Sequence, residues 1–225
     1  MSNNKKHLAK AAAPIYAALL AKQAGSRPCL GVADTAKLVR AALKDAFPSV
    51  KFSVRSDSYS GGASIDIRWV DGPTSAEVEK ISRAYEGADF DGTIDLKSYR
   101  TAWLSPDGVA SLAHAQGTEG SMGCHSEAIG SPNHPNAIEV HFGADYIHTN
   151  RDFSPEVRMA ALEEVRSYWA GLDELAPRPE YIVKTSGSHS WLSLSSDPWL
   201  PNHSCHLSTL IGRHLHGKSF IPVTA

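Results

Sequence analysis

Five side chains of metal-binding type fall in two clusters, Cys124 and His125 in one, His203, Cys205 and His206 in the other. Thiolate and imidazole are the ligands that zinc takes in tetrahedral sites, so one zinc centre drawn from both clusters is a possible reading. The H-x-C-H spacing is not that of a zinc finger, and adjacent ligands such as Cys124 and His125 rarely both reach one ion. Surface or packed residues in a chain with 11 histidines explain the same pattern with fewer assumptions. A Cys124 nucleophile served by His125 or another histidine is a second reading, and it needs a base that the fold sets in place. No catalytic set is evident, and the reading leans away from an enzyme. No cofactor is called for, with zinc as the alternative.

A second group lies on the stretch from Lys51 to Thr74, KFSVRSDSYSGGASIDIRWVDGPT. Phe52 and Val54 alternate with Ser53 and Arg55, then Ile65, Ile67 and Trp69 alternate with Asp66 and Arg68, which predicts a β-hairpin around a Ser/Tyr/Gly turn. One face is then apolar and the other polar. The polar face and turn, Arg55, Asp57, Tyr59, Gly61, Gly62 and Arg68, form a candidate binding surface. Arginine and tyrosine suit a protein interface or phosphate contacts, and the Gly61–Gly62 amides could meet a phosphate. The simpler role of the glycines is positive φ in the hairpin connection. A further aromatic and imidazole group, His189, Trp191, Trp199 and His203, reads as core packing before it reads as a pocket.

These groups need a scaffold, and 225 residues with 42% hydrophobic and 20% charged content can bury one. A net charge of −2 gives no global field toward nucleic acid, so a nucleic-acid partner is not favoured. The Lys5, Lys6 and Lys10 cluster reads as a solvated helix end. The Ala-rich run from Ala11 to Ala21, broken by Pro14, is too short and too weakly apolar to span a bilayer. Three widely spaced cysteines, Cys29, Cys124 and Cys205, point to a reducing compartment and hence to a cytoplasm.

Periodicity predicts a helix from Lys5 to Gln23, a second from an Asp34 or Thr35 cap to Phe47, then the hairpin. The sequence T-S-A-E from Thr74 to Glu77 is a capping box opening a third helix to Gly87. From residue 89 to 135 the pattern fades into Gly, Ser, Asp and His, as expected of an irregular insertion. Alternation returns at Ile138, Val140 and Phe142. Ser154 and Pro155 open a helix to Ala170 with Val157, Ala161, Leu162, Val165, Tyr168 and Trp169 on its apolar face. A small hairpin turns around 186–188, and Leu207 to Leu215 predicts a last helix. The expected fold is α+β, a two-layer sandwich with a mostly antiparallel sheet and helices packed on one face. The expected organisation is a helical extension over 1–30, a core domain over 31–172 and a C-terminal extension over 173–225.

The run YSGGASIDIRWVDGPT from Tyr59 to Thr74, with DTAKLVR from Asp34, FPSVKFSVR ending at Arg55 and FDGTIDL from Phe90 to Leu96, resembles the large polyvalent protein-associated domain 29. The stretch GADYI from Gly143, running into Arg151 and the Ser154 helix, looks like its downstream segment. The first helix and everything after about Gly171 lie outside the resemblance. The resemblance implies a protein of phages and conjugative plasmids, delivered with incoming DNA to counter host defences or assist establishment. It brings no catalytic residues with it. The expected function is therefore a mobile-element accessory protein that binds a host defence or replication complex, of anti-restriction or anti-CRISPR type, in the bacterial cytoplasm and without a membrane. The alternative is a small zinc-dependent enzyme acting on nucleotides or nucleic acid. Direct DNA binding through the first helix is a weaker third.

Overall fold

The computed structural model describes residues 6–22, 27–118, 126–168, 170–172, 174–175, 178–187 and 189–221. Two compact units divide the chain: one takes Met1–Trp69, Ser75–Asn150 and Ile221–Ala225, the other Val70–Thr74 and Arg151–Phe220. The fold is α+β with mostly antiparallel sheets.

In the first unit the elements run α1 (Lys6–Lys22), β1 (Cys29–Leu30), α2 (Val32–Ala46), β2 (Ser53–Tyr59), β3 (Gly62–Val70), α3 (Ser75–Ser82), a 3-10 turn (Arg83–Tyr85), β4 (Ala88–Asp91), β5 (Leu96–Leu104), β6 (Ala110–Ala115), β7 (Ala128–Ile129), β8 (Ile138–Phe142) and β9 (Tyr146–Asp152). Leu8, Ala12, Ile15 and Leu19 recur at helical spacing and are the buried stripe of α1, while Leu20, one position off it, is exposed. No acidic residue of α1 serves its own first turn. Asp45 of α2 does this instead, accepting the backbone N–H groups of His7 at 3.1 Å and Leu8 at 2.8 Å. The second helix starts earlier than its expected cap: Gly31 is the N-cap, and the Thr35 hydroxyl donates back to the Gly31 carbonyl from inside the first turn.

Strands β1, β8, β5, β6 and β7 form one sheet in that order, with β4 also on β5, and β2, β3 and β9 form another. Strands β4 to β7 thus occupy much of 89–135, where the sequence suggests no regular element. The reason lies in β5, which has strand neighbours on both sides. Ala102 and Leu104 enter the core together with Ile138, Val140 and Phe142, and Trp103 and Glu139 pair on the opposite face. Aromatic and polar residues share that second face, and a register shift in the pairing with β6 between Thr101 and Ala102 breaks the alternation further.

The second unit holds α4 (Pro155–Tyr168), β10 (Tyr181–Ser186), β11 (His189–Leu194), β12 (Trp199–Leu200), β13 (Cys205–His206) and α5 (Leu207–Gly217). Ser154 caps α4, its Oγ accepting the Val157 N–H at 3.3 Å. Phe153, Ala161, Leu162, Val165, Leu200, Leu207, Ile211 and Leu215 make the core. Tyr168, expected on the buried face, is 72% exposed because the stripe ends at Val165. Trp169 lies outside the described residues. Buried Arg151 organises the unit. Its guanidinium donates to the carbonyls of Asp71 (2.8 Å), Gly72 (2.8 Å), Leu215 (3.2 Å) and Lys218 (2.8 Å) and lies over the rings of Phe153 and Phe220. This ties the left-handed Asp71–Gly72 turn to the C-terminal end of α5. Among the described residues no helix is long and apolar enough to cross a membrane.

Candidate functional site

Tyr59 pairs with Gly62, so Ser60 and Gly61 alone connect β2 to β3, and Gly61 adopts φ 95° as the tight connection requires. The register Val54↔Ile67 puts one row of residues on the core, with Ile65 of that row opposite the exposed Ser56, and Arg55↔Asp66 and Ser53↔Arg68 put the other row outside. Val54, Ile65, Ile67 and Trp69 are buried, and Phe52 packs half-buried against Trp69 at a ring separation of 5.6 Å. Arg55, Asp57, Gly61 and Arg68 are exposed, Tyr59 is 49% exposed and Gly62 half-buried. All six residues of the candidate surface thus stand on one hairpin. β2 is an edge strand. Arg40 of α2 covers part of that edge by donating to the Val54 carbonyl at 2.6 Å, and Asp57 engages the Ser58 N–H at 2.9 Å.

Gly62 has a different role from Gly61. A Cβ there would overlap the carboxylate of Asp145 and come within 3.2 Å of the Tyr59 ring. Asp145, between β8 and β9, accepts the Ala63 N–H at 3.1 Å, donates its own N–H to the Ala63 carbonyl at 2.8 Å and pairs with Lys97 Nζ at 2.9 Å. The hairpin tip and the GADYI stretch are therefore locked together by a buried carboxylate. Burial works against the Lys97 ammonium, but the hydrogen bond and charge of Asp145 outweigh it, and the lysine pKa is raised. Lys97 also lies 5.2 Å over the Tyr99 ring. The phenol of Tyr146 is pushed up, mainly by burial, with Asp145 adding to the shift and Lys97 opposing it.

Glu86 braces this arrangement from below. It accepts the Ile147 N–H at 3.0 Å and meets Arg100 Nη1, which also reaches Asp89 at 3.1 Å. Burial raises the Glu86 pKa in spite of that hydrogen bond and the Arg100 charge. The result is a hydrogen-bonded platform on which Tyr59 and Tyr99, 49% and 54% exposed, lie beside the half-buried Lys97–Asp145 pair. Tyrosine and arginine on a rigid backbone are the residue types that anchor protein interfaces. Periodicity could not find Lys97, Tyr99, Asp145 and Tyr146, because their proximity depends on strand pairing far along the chain. The one signal for Asp145 was its place in the GADYI stretch.

The candidate metal ligands are not gathered in the same way. Cys124 and His125 lie outside the described residues. Cys205 is buried and pairs with Leu200 across β12 and β13, whereas His203 and His206 are exposed. His206 Nδ1 meets the Asp197 carbonyl at 3.0 Å and its ring stands edge-on to Trp199. Asp197 meanwhile accepts the Ser208 N–H at 2.8 Å at the start of α5. Among the described residues no group of three or more His, Cys, Asp or Glu is placed to hold a metal ion. Trp191 and Trp199, expected in the core, are 47% and 54% exposed, since their two-stranded hairpins each leave a face open.

A family model described as large polyvalent protein associated domain 29 matches residues 30–154, a span that includes the hairpin, Lys97, Asp145 and Arg151. No curated protein and no solved structure matches the chain.

Proposed function

The chain belongs to the large polyvalent protein associated domain 29 family, and from that premise we propose that it is an accessory protein that acts by binding a bacterial host protein complex and countering a defence system. The family is associated with phages and other mobile elements, which supports the setting. One observation carries the binding mode. The polar hairpin face of Arg55, Asp57, Tyr59 and Arg68 is exposed on a backbone that Asp145, paired with Lys97, ties down at Ala63. A preorganised surface loses little conformational entropy on docking, so its arginine and tyrosine contacts convert efficiently into affinity. The test is phage plating or plasmid establishment on bacteria carrying a restriction or CRISPR system, with and without the protein. Wild type should raise establishment at least tenfold, and Arg55→Glu with Arg68→Glu should abolish the gain without lowering thermal stability. Full protection by the doubly reversed protein overturns the assignment of this face.

A further inference from the structure

The second face of the larger sheet holds a cavity of about 410 Å³ whose lining, among the described residues, contains no carboxylate. The alternation that sends Ala102, Val140 and Phe142 into the core turns Tyr99, Thr101 and His141 the other way, and register carries His114 of β6 opposite Thr101. Gln116 follows β6, its N–H on the Tyr99 carbonyl at 3.1 Å. Arg27 enters from just before β1, where Cys29 pairs with His141.

Each of these groups is oriented by something behind it. His141 Nδ1 lies 2.9 Å from the Arg100 carbonyl, which can only accept, so Nδ1 carries a proton and Nε2 is left for a ligand. His114 is held by Glu127 at 2.9 Å. Arg27 meets Glu139 through Nε at 3.1 Å, which leaves the outer Nη pair of its fork, and Glu139 also accepts the Thr101 hydroxyl at 2.7 Å. Glu127 and Glu139 are thus each engaged with a lining residue, as Glu86 and Asp89 are with Arg100. Arg100, also in the lining, has a buried Nε–H with no acceptor among the described residues. The half-exposed Tyr99 ring supplies an aromatic wall.

We propose that this cavity binds a phosphorylated small molecule of mononucleotide size, with the phosphate at Arg27 and Gln116, a sugar hydroxyl on His141 and the base against Tyr99. The volume is in the range of ligand pockets. A guanidinium fork beside the Gln116 amide N–H group is suited to phosphate oxygens, and the acceptor Nε2 of His141 to a ligand hydroxyl. This goes beyond the partner-binding role and uses no residue of the β2–β3 hairpin, so either assignment can fail without the other.

The full chain should be titrated with AMP, adenosine and inorganic phosphate, following the imidazole resonances of His114 and His141 together with calorimetry. AMP is expected to shift both imidazoles and to bind more tightly than phosphate, with adenosine silent. Arg27→Ala and Gln116→Leu, both at exposed positions, should keep the fold and weaken AMP at least tenfold and several-fold respectively. The proposal is overturned if the imidazoles do not respond to AMP at about 1 mM, if adenosine binds as well as AMP, if phosphate binds as tightly as AMP, or if Arg27→Ala leaves the affinity unchanged.

Discussion

Alanine at Gly62 isolates the contact that joins the hairpin tip to Asp145. The backbone at Gly62 is not in the left-handed region, so an added methyl brings no conformational strain, and on its own would stabilise by about 0.4–1 kcal/mol through the unfolded chain. Against this, the methyl would occupy the space of the Asp145 carboxylate, which is 7% exposed and bonded to the Ala63 N–H and Lys97. Displacing a buried hydrogen bond to a charged group costs about 1.5–3 kcal/mol, so the net loss should be about 0.5–2.5 kcal/mol. Gly61→Ala should cost a similar amount for another reason: among the described residues nothing lies within 4 Å of its added Cβ, but φ 95° is unfavourable for alanine. The two causes separate in an Asp145→Ala background. There the Gly62 substitution should become neutral or mildly stabilising while the Gly61 cost persists, giving a coupling of about 1.5–3 kcal/mol between positions 62 and 145 alone. Urea unfolding followed through Trp69, buried on the same hairpin, measures all of these proteins. Additive effects at 62 and 145 would refute the steric argument.

Two further outcomes follow from the cations Arg151 and Lys97. Arg151→Lys keeps the charge but cannot reach four carbonyls in a planar fork, so the second unit should lose about 2–4 kcal/mol. Hydrogen exchange should accelerate in Leu207–Gly217, and unchanged protection there would show that the clamp is dispensable. The raised pKa of Lys97 means that its stabilising pair is fully present below the unfolded lysine value of about 10.4 and fades as pH rises through the higher folded value. The stability gap between wild type and Lys97→Met should therefore stay constant from neutral pH to about 10 and narrow above it; a gap that narrows already between pH 7 and 9 contradicts the assignment.

The hairpin was legible because its two faces follow a period of two, so Val54, Ile65, Ile67 and Trp69 could be placed inside from spacing alone. The helices were legible for the same kind of reason. Asp145 was not, because its partner Ala63 is 82 positions away and neither residue type signals the other. β5 was hidden by having strand neighbours on both sides, which puts aromatic and polar residues where a surface strand would show plain alternation. The start of α2 was misjudged because Thr35, a good cap by type, spends its hydroxyl on the Gly31 carbonyl inside the helix. The cavity residues are separated in sequence from Arg27 to His141, and only strand register collects them.

The way α2 finishes α1 bears on how the family domain can be handled. The matched span begins at residue 30 and includes Asp45, but the amides that satisfy this carboxylate belong to His7 and Leu8, ahead of the span. A fragment cut at the edge of the match would therefore keep the socket and discard the plug. It would retain a carboxylate shaped for a helix end and the bare apolar floor on which Leu8, Ala12, Ile15 and Leu19 rest. Such a fragment is predisposed to associate with any exposed amphipathic helix, its own copy included, and expression boundaries for relatives should be set by where the capping amides lie.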